Sequence, residues 1–147
     1  MVAVCVRAVL LDGDEIVVFR RTRPGVPVYW AFPGGGVEKE DPDLESALLR
    51  ELDEELSARV GELVPLITLA NMNPQGKPEL QHLYACRLIS MDFDSRHGPE
   101  FSNPDKGGYE VERVAFTPEA LGDLLLVPPP LADYVRANLD TIRKLPL

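Results

Sequence analysis

A run of three glycines followed by a helical pattern is the feature that most constrains this fold. The glycines at positions 34–36 close a short aromatic segment at residues 29–32. Leu44–Leu56 then has apolar residues at helical spacing and contains neither glycine nor proline. We expect Asp41 to cap this helix, with Pro42 at its first position. The chain must therefore fold a tight glycine loop directly before an amphipathic helix.

A rotation of about 100° per residue places the side chains around this helix. The expected core face consists of Leu44, Leu48, Leu49, Leu52 and Leu56. Glu51, Glu54 and Glu55 share an arc of about 100° beside that face, with Glu55 on its border. Arg50 precedes Glu54 by four residues, the spacing at which opposite charges pair on a helix. Three neighbouring carboxylates repel one another, and a divalent cation such as Mg²⁺ would reverse that repulsion. A solvated acidic face is the alternative interpretation.

The remaining segments predict a mixed α/β domain. Residues 2–11 and 16–19 are apolar and β-branched and flank an Asp-Gly turn, which predicts a β-hairpin. Further strands are predicted at residues 63–69, 80–89 and 111–116, and a short helix after Thr117. Residues 92–108 are rich in Pro, Gly and charge and predict a long loop. A last helix carries an apolar stripe over residues 131–142. We expect one domain over residues 1–147.

Charge and cysteine content restrict the classes of partner. The chain has 15 basic and 24 acidic side chains, a formal charge of −9, so we expect neither nucleic acid nor a membrane as partner. Its apolar stretches are far shorter than the roughly 20 residues of a membrane span. A secretory signal has basic residues before its apolar segment. No basic residue precedes the short apolar N-terminal run of this sequence, so we expect no such signal. Cys5 and Cys86 lie in strand-like segments, so buried free thiols and a cytoplasmic location are expected.

A basic cluster just before the glycines is a candidate landing point for phosphates. It contains Arg20, Arg21 and Arg23. Because adjacent strand residues face opposite sides, at most one of Arg20 and Arg21 points into a cleft. Tyr29 follows, and its ring could stack on a base. We select Arg20, Arg23 and Tyr29 as candidate substrate-binding residues. Solubility for the arginines and core packing for the tyrosine are the alternatives.

The segment at residues 35–58 resembles a Nudix box, whose pattern is G-x5-E-x7-R-E-U-x-E-E-x-G-U with U aliphatic. Gly35 takes the place of the first glycine, and residues 50–55 match R-E-U-x-E-E at every position. The aromatic-Pro-Gly-Gly approach before the box is also typical of the family. The order of segments before and after the box agrees as well, so the resemblance extends over most of the chain.

Three departures from the pattern occur within the box. Asp41 stands where the first glutamate is usual, and one additional residue separates it from Arg50. Ser57 replaces the later glycine, and Gly61 follows four residues on. Because glycine is favoured just past a helix end, we expect the helix to continue and end near Gly61. None of the three changes removes a candidate metal ligand, but the role of Asp41 is open.

The resemblance implies a Nudix-like α/β/α sandwich with a mixed central sheet. It implies that Glu51, Glu54 and Glu55, with the Gly35 carbonyl, bind Mg²⁺, for which Mn²⁺ could substitute. The implied activity is hydrolysis of a nucleoside diphosphate linked to another group, by a monomer or homodimer acting on a small molecule. The implied catalytic residues are Arg50, Glu51, Glu54 and Glu112. The base that accepts the proton is Glu51, Glu55, Glu112 or Glu100.

Two other activities of the same fold remain open at this point. One is a nucleotide-sensing domain that binds without hydrolysis, and the other is an isoprenoid-diphosphate isomerase, which commonly needs a cysteine and a glutamate. Substrate markers after the box do not decide between substrates. Pro74 lies one position from the proline of many ADP-ribose enzymes, and Gln75 stands where dinucleoside polyphosphate enzymes carry a tyrosine. Hydrolysis of oxidised nucleoside triphosphates is also open.

Overall fold

The structure is a computed structural model that describes residues 2–92 and 108–147. The described residues form nine strands and four helices. The strands are β1 (Ala3–Asp12), β2 (Glu15–Thr22), β3 (Tyr29–Ala31), β4 (Gly34–Gly36), β5 (Arg59–Val60), β6 (Val64–Met72), β7 (Pro78–Ser90), β8 (Gly108–Ala115) and β9 (Leu126–Val127). The helices are α1 (Leu44–Leu56), α2 (Pro118–Gly122), α3 (Pro129–Ala137) and α4 (Leu139–Arg143). Most of the predicted long loop, with Glu100, lies outside the described residues.

The strands form one mixed sheet. Its main path runs β5-β7-β1-β2-β3-β9, with β4 added to β1, β6 to β7 and β8 to β2. The β1–β7 and β3–β9 pairs are parallel, and the other pairs are antiparallel. The predicted hairpin is confirmed, because Asp12 pairs with Glu15 and Gly13 occupies the turn at φ 62°. This turn conformation favours glycine, since it lies in the left-handed region.

Alternation along the strands creates two cores, one on each face of the sheet. Val6, Ala8 and Leu10 of β1 pack with the buried leucines of α1. The alternate residues Val9 and Leu11 pack with α2, α3 and α4. Because successive side chains of a strand point to opposite faces, helices must cover both sides of the sheet. The α/β/α sandwich with a mixed central sheet is confirmed.

Both ends of α1 differ from the prediction. Asp43, not Asp41, is the N-cap, and its carboxylate accepts a hydrogen bond of 2.7 Å from the Ser46 N–H. The helix ends at Leu56 and does not continue to Gly61, because Ser57 adopts the left-handed conformation at φ 47° and ψ 44°. Ser57 therefore ends the helix in the left-handed conformation that glycine usually adopts there, and residues 59–60 form β5.

Two further predictions about helices are corrected. Leu49 is not part of the core face, since it is 48% exposed. The predicted last helix is two helices, because the chain leaves the helical conformation at Asn138, where α3 ends and α4 begins. Asn138 donates its side-chain amide to the Tyr134 carbonyl, which favours this break.

None of the helices formed by residues 2–92 and 108–147 is both long and apolar enough to cross a bilayer.

The sheet divides near the middle of β1. Its second half pairs with β2 from Leu10 to Asp12, whereas Cys5–Arg7 pairs with β4. Phe19–Arg21 of β2 pairs with β3, whereas β8 pairs with β2 along its whole length from Glu15 to Thr22. The glycine strand β4 thus lies beside the first half of β1 and contacts α1. The site described next follows from that position.

Candidate functional site

Arg50 is the centre of the ionic contacts at the start of the site. Its Nε donates to Asp41 Oδ1 at 3.0 Å, and its Nη2 donates to Asp41 Oδ2 at 2.9 Å. The Asp41 side chain is only 7% exposed. Hydrogen bonding from Arg50 holds the pKa of Asp41 below its ordinary value, and that of Arg50 rises correspondingly. Asp41 therefore anchors Arg50 by two hydrogen bonds.

The same guanidinium also orients the carboxylates of α1. Nη1 of Arg50 donates to Glu51 Oε1 at 3.1 Å and to Glu54 Oε2 at 3.3 Å. The predicted i,i+4 pair of Arg50 and Glu54 is therefore present. Nη2 additionally donates to the Gly36 carbonyl at 3.0 Å, so the arginine ties the helix to the glycine strand. One planar cation thus fixes two carboxylates and the loop beside them.

Glu55 is held from the opposite direction. It is 6% exposed, and its Oε1 accepts a hydrogen bond of 2.9 Å from the Gly34 N–H. Gly34 has φ +139°, and a Cβ at this position would collide with the Val6 carbonyl oxygen. Only glycine therefore brings this N–H to the buried carboxylate without strain. The predicted place of Glu55 at the border of the core face agrees with its burial.

Because Gly35 has no side chain, the Glu51 carboxylate occupies the space beside it. A Cβ on Gly35 would lie 2.7 Å from the Glu51 carboxyl group. The absence of a side chain at Gly35 thus brings backbone and carboxylate into contact, and Gly35 pairs with Val6 in the sheet. Glu51 and Glu55 therefore contact β4 directly, whereas Glu54 is connected to it through Arg50.

The donor set suits a hard divalent cation. Carboxylate oxygens and a backbone carbonyl are the ligands that Mg²⁺ takes in proteins, usually with water and substrate phosphate completing the shell. The missing side chain at Gly35 lets the Glu51 carboxylate approach the glycine backbone. Among residues 2–92 and 108–147, no group of three or more His, Cys, Asp or Glu side chains is arranged to hold a metal ion. By chemical type alone, these residues fit a magnesium site whose other ligands are water and substrate phosphate.

Glu112 is not brought to these carboxylates. It pairs with Val18 across β8 and β2, and Val18 packs in the core beneath α2, α3 and α4. Residues opposite each other in a strand pair share a face, so Glu112 points away from α1. Its Oε2 accepts a hydrogen bond of 2.9 Å from the Trp30 indole N–H. Glu100, the other candidate outside α1, lies outside the described residues.

A cleft of about 900 Å³ is lined by residues of β1, β2, β3, β6, β7 and β9, and neither β4 nor the α1 glutamates line it. Arg23 and Tyr29 line it, as does Arg21. Arg20 is not among the described residues lining the cleft, and it instead pairs with Glu110 at 3.2 Å. The rule that only one of Arg20 and Arg21 can face a cleft therefore holds. The Arg21 guanidinium lies 3.5 Å from the Tyr109 ring centre and 5.8 Å from that of Tyr29, which restricts its motion.

The sequence interpretation missed two residues of the cleft, Arg7 and Gln81. Both line its wall, and Arg7 Nε donates to Gln81 Oε1 at 3.4 Å. An arginine amid the apolar residues of β1, and a glutamine amid those of β7, were the available signals. A polar side chain that interrupts a buried strand needs a partner. The partner itself depends on the parallel β1–β7 pairing, which the sequence does not reveal.

Known proteins of the same fold are similar to this chain. The NUDIX domain model matches residues 1–136. A MutT NUDIX hydrolase of Burkholderia pseudomallei is 20% identical with a TM-score of 0.68, over 90% of this chain and 95% of that one. The NUDIX domain of Shewanella oneidensis NrtR, in complex with ADP ribose, is 18% identical with a TM-score of 0.68, over 96% and 89%. The E. coli ORF135 protein is 25% identical with a TM-score of 0.57, over 93% and 90%. No curated protein sequence is significantly similar to this chain.

Proposed function

The chain belongs to the NUDIX domain family of hydrolases, and we propose on this premise that it cleaves a phosphoanhydride bond with the help of Mg²⁺. The proposed substrate is a nucleoside diphosphate linked to a second group. One observation carries the proposal: Arg50 holds Glu51 and Glu54 together while the Gly34 N–H holds Glu55. Each glutamate of the R-E-U-x-E-E pattern is therefore held by a hydrogen bond, two of them from Arg50 and one from β4.

Glu51, Glu54 and Glu55, with the Gly35 carbonyl, would hold the metal ion. When bound, Mg²⁺ neutralises diphosphate charge and lowers the pKa of a bound water. Mn²⁺ is a proposed substitute, since it takes the same oxygen ligands.

The chain's own residues supply orientation and a proton acceptor. Arg50, anchored by Asp41, keeps the Glu51 and Glu54 carboxylates from rotating away. We propose that Glu51 or Glu55 accepts the proton of the attacking water, because both lie against the glycine strand. Glu112 is a weaker candidate for this step, since its carboxylate contacts Trp30 on the other face of the sheet.

The cleft is the proposed site for the rest of the substrate. Its volume of about 900 Å³ falls within the usual range for small-molecule sites. Arg21 and Arg23 offer donors for phosphate oxygens, and Tyr29 offers an aromatic face for a base. Among the similar structures are a UDP-X diphosphatase and an ADP ribose complex, so the screen below includes both chemistries.

A hydrolysis screen tests this function. Purified protein with Mg²⁺ would be incubated separately with nucleoside triphosphates, oxidised dGTP, ADP-ribose, UDP-sugars and dinucleoside polyphosphates. Mass spectrometry would then identify the products by their masses. We expect one class to yield a product that EDTA abolishes. Glu55→Gln should reduce turnover by orders of magnitude, because its amide oxygen can still accept from Gly34 but carries no charge. Asp53→Asn, on the exposed side of the same helix, is the matched control and should retain activity.

Two results would contradict the proposal. An unchanged rate in Glu55→Gln would remove the carboxylates from the reaction. A ligand that raises the melting temperature without any product across the panel would indicate a sensing domain. The isomerase alternative is disfavoured by burial of both thiols, which raises the pKa of Cys5 and raises that of Cys86 to about 12. Neither cysteine is suited to exchange protons with a ligand.

A further inference from the structure

Arg7 occupies a boundary between the glycine strand and the cleft. Its backbone pairs with that of Gly34 in the β1–β4 ladder. Val6 and Ala8 beside it face α1, so the Arg7 side chain points to the other face of the sheet, where it lines the cleft. Its Nη1 donates to the Phe32 carbonyl at 3.3 Å. The guanidinium therefore lies beside the segment that leads into the metal-binding glycines.

The charge of Arg7 is not compensated by the described part of the chain. Its two contacts there, the Gln81 amide and the Phe32 carbonyl, are both neutral. Other arginines differ in this respect, since ion pairs are formed by Arg20, Arg50, Arg113, Arg136 and Arg143. A guanidinium has five N–H donors, and these two contacts use only two of them. Arg7 thus offers both charge and donors to a ligand.

The cleft around Arg7 is positive in a chain of net charge −9. Among the described residues, three arginines and one carboxylate line it, namely Arg7, Arg21, Arg23 and Glu79. A local excess of positive charge in a concave, partly apolar site attracts anions. The exposed apolar side chains of Val26, Met72 and Leu125 also line it. The ligand that complements this lining carries an anionic group together with an apolar or aromatic one.

The Gln81 side chain lies between Arg7 and Glu79, the carboxylate that lines the cleft among the described residues. Its side chain is a buried amide, only 2% exposed. Gln81 Oε1 accepts from Arg7, while Nε2 donates to Asn71 Oδ1 and to Glu79 Oε1, both at 3.3 Å. Because the acceptor faces the cation and the donors face the carboxylate, the amide has one favourable orientation. Glu79 therefore accepts a hydrogen bond from Gln81 and forms no ion pair with Arg7.

We propose that Arg7 binds a phosphate group of the ligand in the cleft and that Gln81 is the positioning residue that holds Arg7 for it. This proposal rests on the proposed function, since it assigns the contact made by the diphosphate on the cleft side of β4. It does not require hydrolysis, because an anion binds to Arg7 whether or not a bond is cleaved.

Calorimetric binding of inorganic pyrophosphate to the whole protein, without Mg²⁺, tests the role of Arg7. We expect Arg7→Gln to weaken binding roughly tenfold, as loss of a charge-assisted hydrogen bond does. Arg7→Lys should retain part of the affinity, and raised salt should reduce the difference between the variants. Arg113→Gln is the matched control, because Arg113 pairs with Asp12 at 2.8 Å and does not line the cleft among the described residues. It should bind as the wild type does.

A charge-swapped variant tests the role of Gln81. Glu79→Gln combined with Gln81→Glu keeps the net charge but moves the carboxylate next to Arg7. If Gln81 only supports the fold, pyrophosphate affinity should follow the melting temperature. If it keeps Arg7 available, the swap should weaken binding about as much as Arg7→Gln at an unchanged melting temperature. Gln81→Met, which removes both hydrogen-bonding ends, should have a smaller effect.

The outcomes separate this proposal from the proposed function. Pyrophosphate binding that is equal in the wild type and Arg7→Gln, or undetectable in the wild type, would overturn the assignment of Arg7. Adenosine binding that is lost in Arg7→Gln would show that Arg7 contacts the base and would also overturn it. A chain that binds pyrophosphate through Arg7 yet hydrolyses nothing with Mg²⁺ would leave Arg7 assigned and contradict the hydrolase function alone.

Discussion

Asp41 and Arg50 form a two-pronged ion pair between a loop and a helix. The carboxylate receives one hydrogen bond at 3.0 Å and a second at 2.9 Å from the same guanidinium. Such a planar pair fixes the arginine in both distance and rotation. Since that arginine in turn contacts Glu51 and Glu54, a residue outside the helix determines how the helix presents its carboxylates.

Asp41→Asn should therefore reduce activity, although Asp41 contacts Arg50 and none of the candidate metal ligands. Loss of an outer residue that orients a metal site commonly costs tenfold to a hundredfold, and we expect a fall in kcat/KM of about tenfold. Steady-state kinetics on the substrate found by the screen would measure it. Asp41→Glu retains a carboxylate and should lose less. Equal losses in both variants would argue against the pairing as the cause.

The same pair predicts a dependence of stability on pH. The pKa of Asp41 lies below its ordinary value of 3.8, chiefly through its hydrogen bond from Arg50. A lowered native pKa means that the carboxylate stabilises the fold above pH 3.8 and loses this effect as pH falls through the native pKa. The difference in melting temperature between wild type and Asp41→Asn should be constant above about pH 5 and shrink below pH 3.8. Scanning calorimetry over a pH series checks this, and a difference that grows in acid would refute it.

Gly34→Ala should be severely destabilising, whereas Gly36→Ala should not. The first substitution forces a Cβ into the Val6 carbonyl at a φ of +139°, and the second meets no described atom within 4 Å. Strained backbone and overpacking each cost on the order of 1–3 kcal/mol, so we expect at least about 2 kcal/mol for Gly34→Ala. Urea unfolding of both variants measures the contrast. Similar midpoints for the two would contradict the close approach of β4 to β1.

Ser57→Gly should stabilise the protein. Ser57 holds the left-handed conformation that ends α1, which costs an L-residue about 1 kcal/mol relative to glycine. For a chain of this length, that corresponds to a rise in melting temperature of about 2–4 °C. Ser57→Ala keeps the strain and serves as the control, with no rise expected. A lower melting temperature for Ser57→Gly would show that the serine side chain contributes more than the strain removes.

Two leucines of α1 should respond differently to truncation. Leu52 is fully buried in the core beneath the helix, while Leu49 is about half exposed. Leu52→Ala should cost about 2–5 kcal/mol, and Leu49→Ala less than about 1 kcal/mol. Denaturant unfolding gives both values. Comparable losses would mean that α1 packs through another face than the one described.

Helical periodicity predicted the relative positions of Glu51, Glu54 and Glu55 because all three lie within one helix. Their mutual positions depend only on the rotation per residue, and Glu55 is buried where the wheel placed it. Leu49 shows the limit of the same argument. Its position on the wheel is apolar, yet its side chain is half exposed, and only the tertiary packing determines that.

The remaining errors concern residues whose roles depend on distant neighbours. Ser57 ends the helix because β5 must turn back to pair with β7, which overrides the preference of left-handed backbone for glycine. Arg7 and Gln81 meet through a parallel pairing between segments far apart in the chain. Local propensity carries no information about such pairings, so the cleft could be anticipated only through its nearby arginines.

The parallel β1–β7 ladder also has a kinetic consequence. Ala3 pairs with Glu79 and Leu11 with Arg87, so β1 meets this neighbour only after β2 to β6 and α1 have been synthesised. Pairings of such sequence separation slow folding, because the intervening loop must lose its freedom before the contacts form. Until β7 is made, β1 can pair with β2 and β4 along one edge, and its other apolar edge has no partner strand. Refolding should be limited by this pairing, and early aggregation should begin at β1.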